Sequence, residues 1–162
     1  MKENDFTVFV VEDNEWYNRL LVHNLSLNPD YRVESFLTGK DLLEKLHEKP
    51  DVVTLDYRLP DMKGSEVLEK IRDYDDNIKV VVISEQEDIE TAVDLLKKGA
   101  FDYIVKSEDI KERLLNTVNI IRVNAGLRSR IDVLEQEVQK KYDFGNLVTG
   151  NSSAMQMVMD MM

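Results

Sequence analysis

The sequence predicts an α/β protein built on a doubly wound, five-stranded parallel sheet. Three observations predict it. Short β-rich apolar runs alternate five times with segments of helical period. The loops between them are short and no stretch repeats, as in sheets built from strand–helix–strand units. One run, IKVVVIS (78–84), is apolar almost throughout, which suits a strand covered on both faces.

The elements follow in order. FTVFVV (6–11) is the first strand. Residues 15–27 place Tyr17, Leu20, Leu21 and Leu25 at helical spacing, and Asn28, Pro29 and Asp30 break that helix. YRVESF (31–36) alternates as the second strand. Thr38 caps a helix running through Leu42, Leu43 and Leu46, with Asp41 placed like the acid of a capping box. Pro50 ends that helix and VVTL begins the third strand. Gly64 opens a helix carrying Val67, Leu68 and Ile71. The fourth strand is 78–84, and the next helix, with Ile89, Ala92, Val93 and Leu96, stops at Gly99. FDYIV (101–105) is the fifth strand, and a long helical pattern starts at Ser107.

Composition narrows the function. With 43% hydrophobic and 33% charged residues, the chain is expected to be globular and soluble. It has no cysteine, so disulfides and thiolate metal sites are excluded. No apolar run is long enough for a membrane span, and MKENDF has no signal-peptide core, which fits a cytoplasmic protein. A net charge of −11 repels nucleic acid phosphates and argues against direct nucleic-acid binding by this chain. His23 and His47 fall within helical patterns with no ligating partner nearby, so zinc is not expected.

In open parallel sheets, active groups gather at the carboxyl ends of the strands. Here the first strand ends at Glu12 and Asp13, the third at Asp56, the fourth at Ser84 and the fifth at Lys106. Three acids in one pocket repel each other, and a hard divalent cation relieves that repulsion. The three acids, one lysine and Mg²⁺ sum to zero charge, so a phosphoryl group meets no large electrostatic barrier. Asp56 is the candidate nucleophile, because carboxylates form acyl phosphates. Ser84 and Lys106 are candidates to bind phosphoryl oxygens. Taken singly, each of these residues reads as a helix cap or a surface group; the joint pattern carries the inference.

The pieces VVEDN (10–14), LDYRLPDMKG (55–64), VVIS (81–84) and KKGAFDYIVK (97–106) resemble the receiver domains of bacterial two-component response regulators. The resemblance covers residues 6 to about 120 and implies a flavodoxin-like strand order 2-1-3-4-5. It implies that Asp56 accepts a phosphoryl group from a histidine kinase. It implies Mg²⁺ held by Asp13, Asp56 and the Arg58 backbone carbonyl, with Glu12 acting through a water. Ser84 and Lys106 would hold phosphoryl oxygens, and Tyr103 would be an aromatic switch; the bland reading of Tyr103 is an ordinary strand aromatic sharing a face with Phe101 and Val105. Two positions depart from the family. Lys106 is followed by Ser107 where receivers usually carry a cis proline, and a cis bond at a non-proline residue costs about 2.5–4 kcal/mol. Glu85 stands where a small residue is common, so it is expected to modulate phosphodonor access.

Past about residue 120 the pattern continues. Ile120, Leu127 and Leu134 fall at d positions and Asn124, Ile131 and Val138 at a positions of a coiled coil, with Asn124 able to fix register. The expected organisation is a receiver at 1–120, a dimerising linker helix at 121–142 and the truncated start of a further domain at 143–162. The alternative for the linker is one amphipathic helix docked on its own domain. FGNLVTGNSSAMQMVMDMM (144–162) resembles the entry to the AAA+ ATPase domain of NtrC-like activators of sigma-54 RNA polymerase. That resemblance implies a downstream AAA+ domain controlled by the receiver; no Walker A loop is present in this sequence. The chain stops inside an amphipathic segment and is read as a fragment. Two other functions compete: a pseudo-receiver that binds partners without phosphorylation, and an Asp-nucleophile phosphatase or dehalogenase. Such enzymes place an acid two residues after the nucleophile, where this chain has Arg58.

Overall fold

The structure is a computed structural model that describes the backbone over residues 6–149, and the side chains over that span apart from 128–129, 132–133 and 136–149. The side chain of Val138 in the expected seam, and residues 150–162 of the expected AAA+ entry at 143–162, therefore lie outside what is described. The chain divides into two compact units between Arg122 and Val123.

In the first unit, five strands form one sheet: β1 (Phe6–Val11), β2 (Tyr31–Phe36), β3 (Val52–Asp56), β4 (Lys79–Ser84) and β5 (Asp102–Val105). Their order is β2-β1-β3-β4-β5 and every pairing is parallel. The helices are α1 (Glu15–Ser26), α2 (Gly39–Glu44), α3 (Gly64–Tyr74), α4 (Ile89–Lys97) and α5 (Ile110–Thr149). This is the doubly wound arrangement the sequence predicts. Alternating strand residues feed two cores. Val8, Val10, Val81 and Ile83 pack with Leu21 and Leu25 of α1 and with Leu114 and Val118 of α5. Phe9, Val11, Val80 and Val82 pack with Leu42 of α2, Leu68 and Ile71 of α3 and Leu95 of α4. Both faces are covered, which is why β4 is apolar at nearly every position.

One local detail departs from the sequence reading, and others go beyond it. Helix α2 stops at Glu44, and Leu46–Glu48 form a 3₁₀ turn instead of continuing it. Pro50 disfavours helical backbone at Lys49, which sits in the left-handed region with φ 55°. Thr38 caps α2 through Asp41 N–H at 3.1 Å, but the free N–H groups of Gly39 and Lys40 are taken by Asp61, from the β3–α3 loop, at 3.0 and 2.9 Å. Along α4 only Leu95 is buried, while Ile89, Val93 and Leu96 are exposed. Among the described residues no peptide bond is cis, so Lys106–Ser107 is trans.

Helix α5 is continuous over Ile110–Thr149, so it passes the helix end expected at 142. Ile110, Leu114, Val118 and Ile121 are buried in the first unit. From Ile120 on, an apolar set is left open: Ile120, Leu127, Ile131 and Leu134 are 50–58% exposed, and Asn124 is exposed among them. No described helix is long and apolar enough to cross a membrane.

Candidate functional site

Parallel register brings the strand ends to one edge. Val11 pairs with Leu55, Asp56 with Ile83 and Ser84 with Val105, so the residues ending β1, β3, β4 and β5 are neighbours. The strand order reverses between β1 and β3, where a crevice opens in such sheets. A cleft of about 240 Å³ lies there, lined by Glu12, Asp13, Asp56, Ser84, Glu85 and Lys106 together with Asn14, Arg58 and Gln86.

Each side chain is held by local chemistry. Glu12, Asp56 and Ser84 are buried, and Asp13 is exposed. Glu12 Oε2 accepts from Asn14 N–H at 3.0 Å. Asn14 then caps α1 by accepting from Tyr17 N–H at 2.9 Å, which turns the chain directly behind the two acids. Asn18 donates to the carbonyls of Glu12 and Phe36 and fixes the β1 end. Asp56 Oδ1 accepts a 3.3 Å bond from Arg58 N–H. Lys106 Nζ stands 2.9 Å from Glu12 Oε1 and 3.8 Å from Asp56 Oδ1; the nearer contact is one of charge, without hydrogen-bond geometry. Lys106 N–H donates to the Ser84 carbonyl at 2.7 Å, which locks the β5 end to the β4 end.

The acids are strained by charge. Burial, then the charge of Glu12, raises the Asp56 carboxyl to about 8, against the opposing pull of Lys106. One lysine therefore does not neutralise the cluster. Glu12, Asp13 and Asp56 each offer an oxygen within 4.8 Å of the others. Oxygens on one octahedral Mg²⁺ lie about 3 Å apart when adjacent and about 4 Å when opposite, given Mg–O bonds near 2 Å. The donor set is all hard oxygen and under-neutralised, so it fits that ion. Arg58 lines the same cleft.

Of the remaining sequence candidates, Tyr103 is partly buried against the core that contains Leu68, Ile71 and Leu95. Its hydroxyl donates to the Gln86 carbonyl at 2.7 Å, two residues past Ser84. Ser84 Oγ accepts from Gln86 N–H at 3.1 Å. Glu85, exposed, lines the cleft. The seam residues Ile120, Asn124, Leu127, Ile131 and Leu134 lie on α5, away from this constellation in the sequence.

Sequence reasoning missed Tyr17. Its ring lies over Lys106 Nζ, 4.5 Å from ammonium to centroid, and its buried hydroxyl has no hydrogen-bond partner. Burial and the charges of Glu12, Asp56 and Glu85 push this phenol up to about 12. The signal was its position, one helical turn past Asp13, but a lone aromatic at helical spacing reads as core.

Residues 8–119 match the family model described as the response regulator receiver domain. The chain belongs to this family. Receivers are regulatory phosphoacceptor domains of two-component systems, and they bind Mg²⁺ at an acidic pocket. The receiver fold is shared with the signal receiver domain of a putative Luxo repressor protein from Vibrio parahaemolyticus, with a TM-score of 0.73 and 29% identity over 78% of this chain and 97% of that one. Among curated proteins, the regulatory protein AtoC of Escherichia coli (strain K12) is 26% identical over 94% of this chain and 33% of its own length. The regulatory protein LuxO of Vibrio cholerae is 31% identical over 63% of this chain and 23% of its own. The chain thus spans a third or less of the length of these two relatives.

Proposed function

We propose that Asp56 accepts a phosphoryl group from the phosphohistidine of a histidine kinase, and that this controls a downstream domain through a dimerising helix. The observation that carries this reading is the meeting of three acid oxygens within 4.8 Å, with Lys106 Nζ 3.8 Å from Asp56 Oδ1. Asp13, Asp56 and the Arg58 carbonyl would hold Mg²⁺, with Glu12 acting through a water. Bound there, the ion keeps Asp56 ionised and offsets charge on the phosphoryl oxygens. A carboxylate oxygen of Asp56 attacks phosphorus, the phosphorus–nitrogen bond breaks, and the imidazole leaves with the electron pair and takes up a proton. Lys106 and Ser84 hold two oxygens of the transferred group, and Tyr103 follows Ser84 through Gln86. Glu85 modulates donor access from the cleft wall.

The test is incubation of the chain with Mg²⁺ and acetyl phosphate. One phosphoryl group is expected on Asp56 by intact mass and peptide mapping, and none in Asp56→Asn. Continuous turnover of a small phosphate ester would point to an enzyme instead, and no Mg²⁺-dependent labelling would leave a pseudo-receiver.

The open apolar set on α5 supports a parallel homodimer, with Asn124 fixing register. The alignment with AtoC runs over 94% of this chain and so extends past the receiver match, which supports a longer regulator. In this reading that regulator is cytoplasmic, with a sigma-54-activating AAA+ domain downstream that carries the transcriptional output. A chain ending before Asn119 is expected to sediment as a weaker dimer than the chain with the full helix; equal association would remove the seam from the model of control.

A further inference from the structure

The site contains one contact that the acids, serine and lysine do not explain. Lys106 has a long flexible stem and a compact charge, so its ammonium must be held in place from several sides. Two sides are acids: Glu12 Oε1 at 2.9 Å and Asp56 Oδ1 at 3.8 Å. Glu12 is the nearer and, acting alone, would draw the ammonium away from Asp56. A third side is the ring of Tyr17, 4.5 Å from Nζ to centroid. Tyr17 is placed by its own backbone, because its N–H is the group that Asn14 caps.

A buried tyrosine usually finds a partner for its hydroxyl. Here the hydroxyl oxygen is buried with none. The specific polar contact of this side chain is therefore made by the ring face. An aromatic face attracts an ammonium without claiming any of its hydrogens, which stay free for oxygen acceptors.

We propose that Tyr17 is a positioning residue of the phosphoryl-transfer site, its ring holding the Lys106 ammonium between Glu12 and Asp56, where it meets an oxygen of the phosphoryl group. This rests on the phosphoacceptor reading above. The ring carries the effect and the hydroxyl does not.

The test compares Tyr17→Phe and Tyr17→Leu in the full chain, with Mg²⁺ and saturating acetyl phosphate. The phenylalanine variant is expected to be phosphorylated within about twofold of the unmodified rate, because the face is retained. The leucine variant is expected to be about fivefold to tenfold slower, with Mg²⁺ affinity by calorimetry unchanged. A leucine variant at full rate overturns the proposal, and so does a phenylalanine variant as slow as leucine. A matching loss of Mg²⁺ affinity also overturns it, since the acids rather than Lys106 would then have moved. If the leucine variant fails to fold, Tyr17→Met, which fills similar space with a flexible chain, carries the same expectation. An unmodified chain that takes no label at Asp56 defeats the phosphoacceptor reading, and this inference with it; a labelled chain indifferent to Tyr17 defeats the inference alone.

Discussion

Replacing Asp56 with asparagine is expected to stabilise the cation-free protein at neutral pH, by roughly 4 kcal/mol at most. The cause is the buried acid cluster. Asp56 is raised from 3.8 to about 8 in the folded chain, by burial first and by Glu12 second. Between those values the folded form binds a proton that the unfolded form has released. Stability therefore falls as pH rises through this window, and the penalty is complete above about 8. Asparagine never ionises, so the gain should be largest at the alkaline end and vanish near pH 4. Mg²⁺ should narrow the difference by stabilising the unmodified protein, since a ligand that binds only the folded form adds to its stability. Thermal melts in EDTA and in Mg²⁺ across that pH range check all three statements. An asparagine variant no more stable than the parent in EDTA at neutral pH would mean that the acids are not held together as described.

The second large effect is at Gly64. A Cβ built there would stand 2.8 Å from Tyr57 Cα and 2.9 Å from the Tyr57 carbonyl oxygen. The neighbours are backbone, directly after Asp56, and Gly64 N–H also donates to that same carbonyl at 2.8 Å. Gly64→Ala must push the loop outward, at about 2–3 kcal/mol of stability. It should weaken Mg²⁺ binding as well, because Asp56 and Arg58 sit on the displaced segment. Urea unfolding and calorimetric Mg²⁺ titration measure the two losses. Gly126→Ala is the control: it lies in α5 with nothing within 4 Å of an added Cβ, so it should gain about 0.5–1 kcal/mol from helix propensity. An alanine at 64 with unchanged unfolding would refute the close approach.

Four of the five strands were legible because their apolar runs stop abruptly at a residue with chemistry. Asp56 after VVTL and Ser84 after VVVI are the clearest cases, and register turned both into neighbours. The order of strands was carried by resemblance, since periodicity alone does not rank them. Other features were not legible because they depend on meetings between distant segments. Asp61 reads as a turn residue, yet it caps a helix 21 and 22 residues away. Tyr17 reads as a core position, and only the fold sets Lys106 against it. In α4 the spacing of Ile89, Ala92, Val93 and Leu96 gave the helix, but Leu95 is the residue buried, so periodicity found the helix and not its orientation.

The cleft has two walls tied in different ways. On the β3 side, the loop is braced by Asp61 across two amides of α2, by the Arg58–Lys63 bridge and by the Gly64–Tyr57 closure. On the β4 side, the chain after Ser84 is tied at Gln86 by the Ser84 and Tyr103 hydroxyls. On that second side the chain runs on into α4, where Ile89, Val93 and Leu96 stand exposed, so the pocket and an open apolar surface share one stretch of backbone.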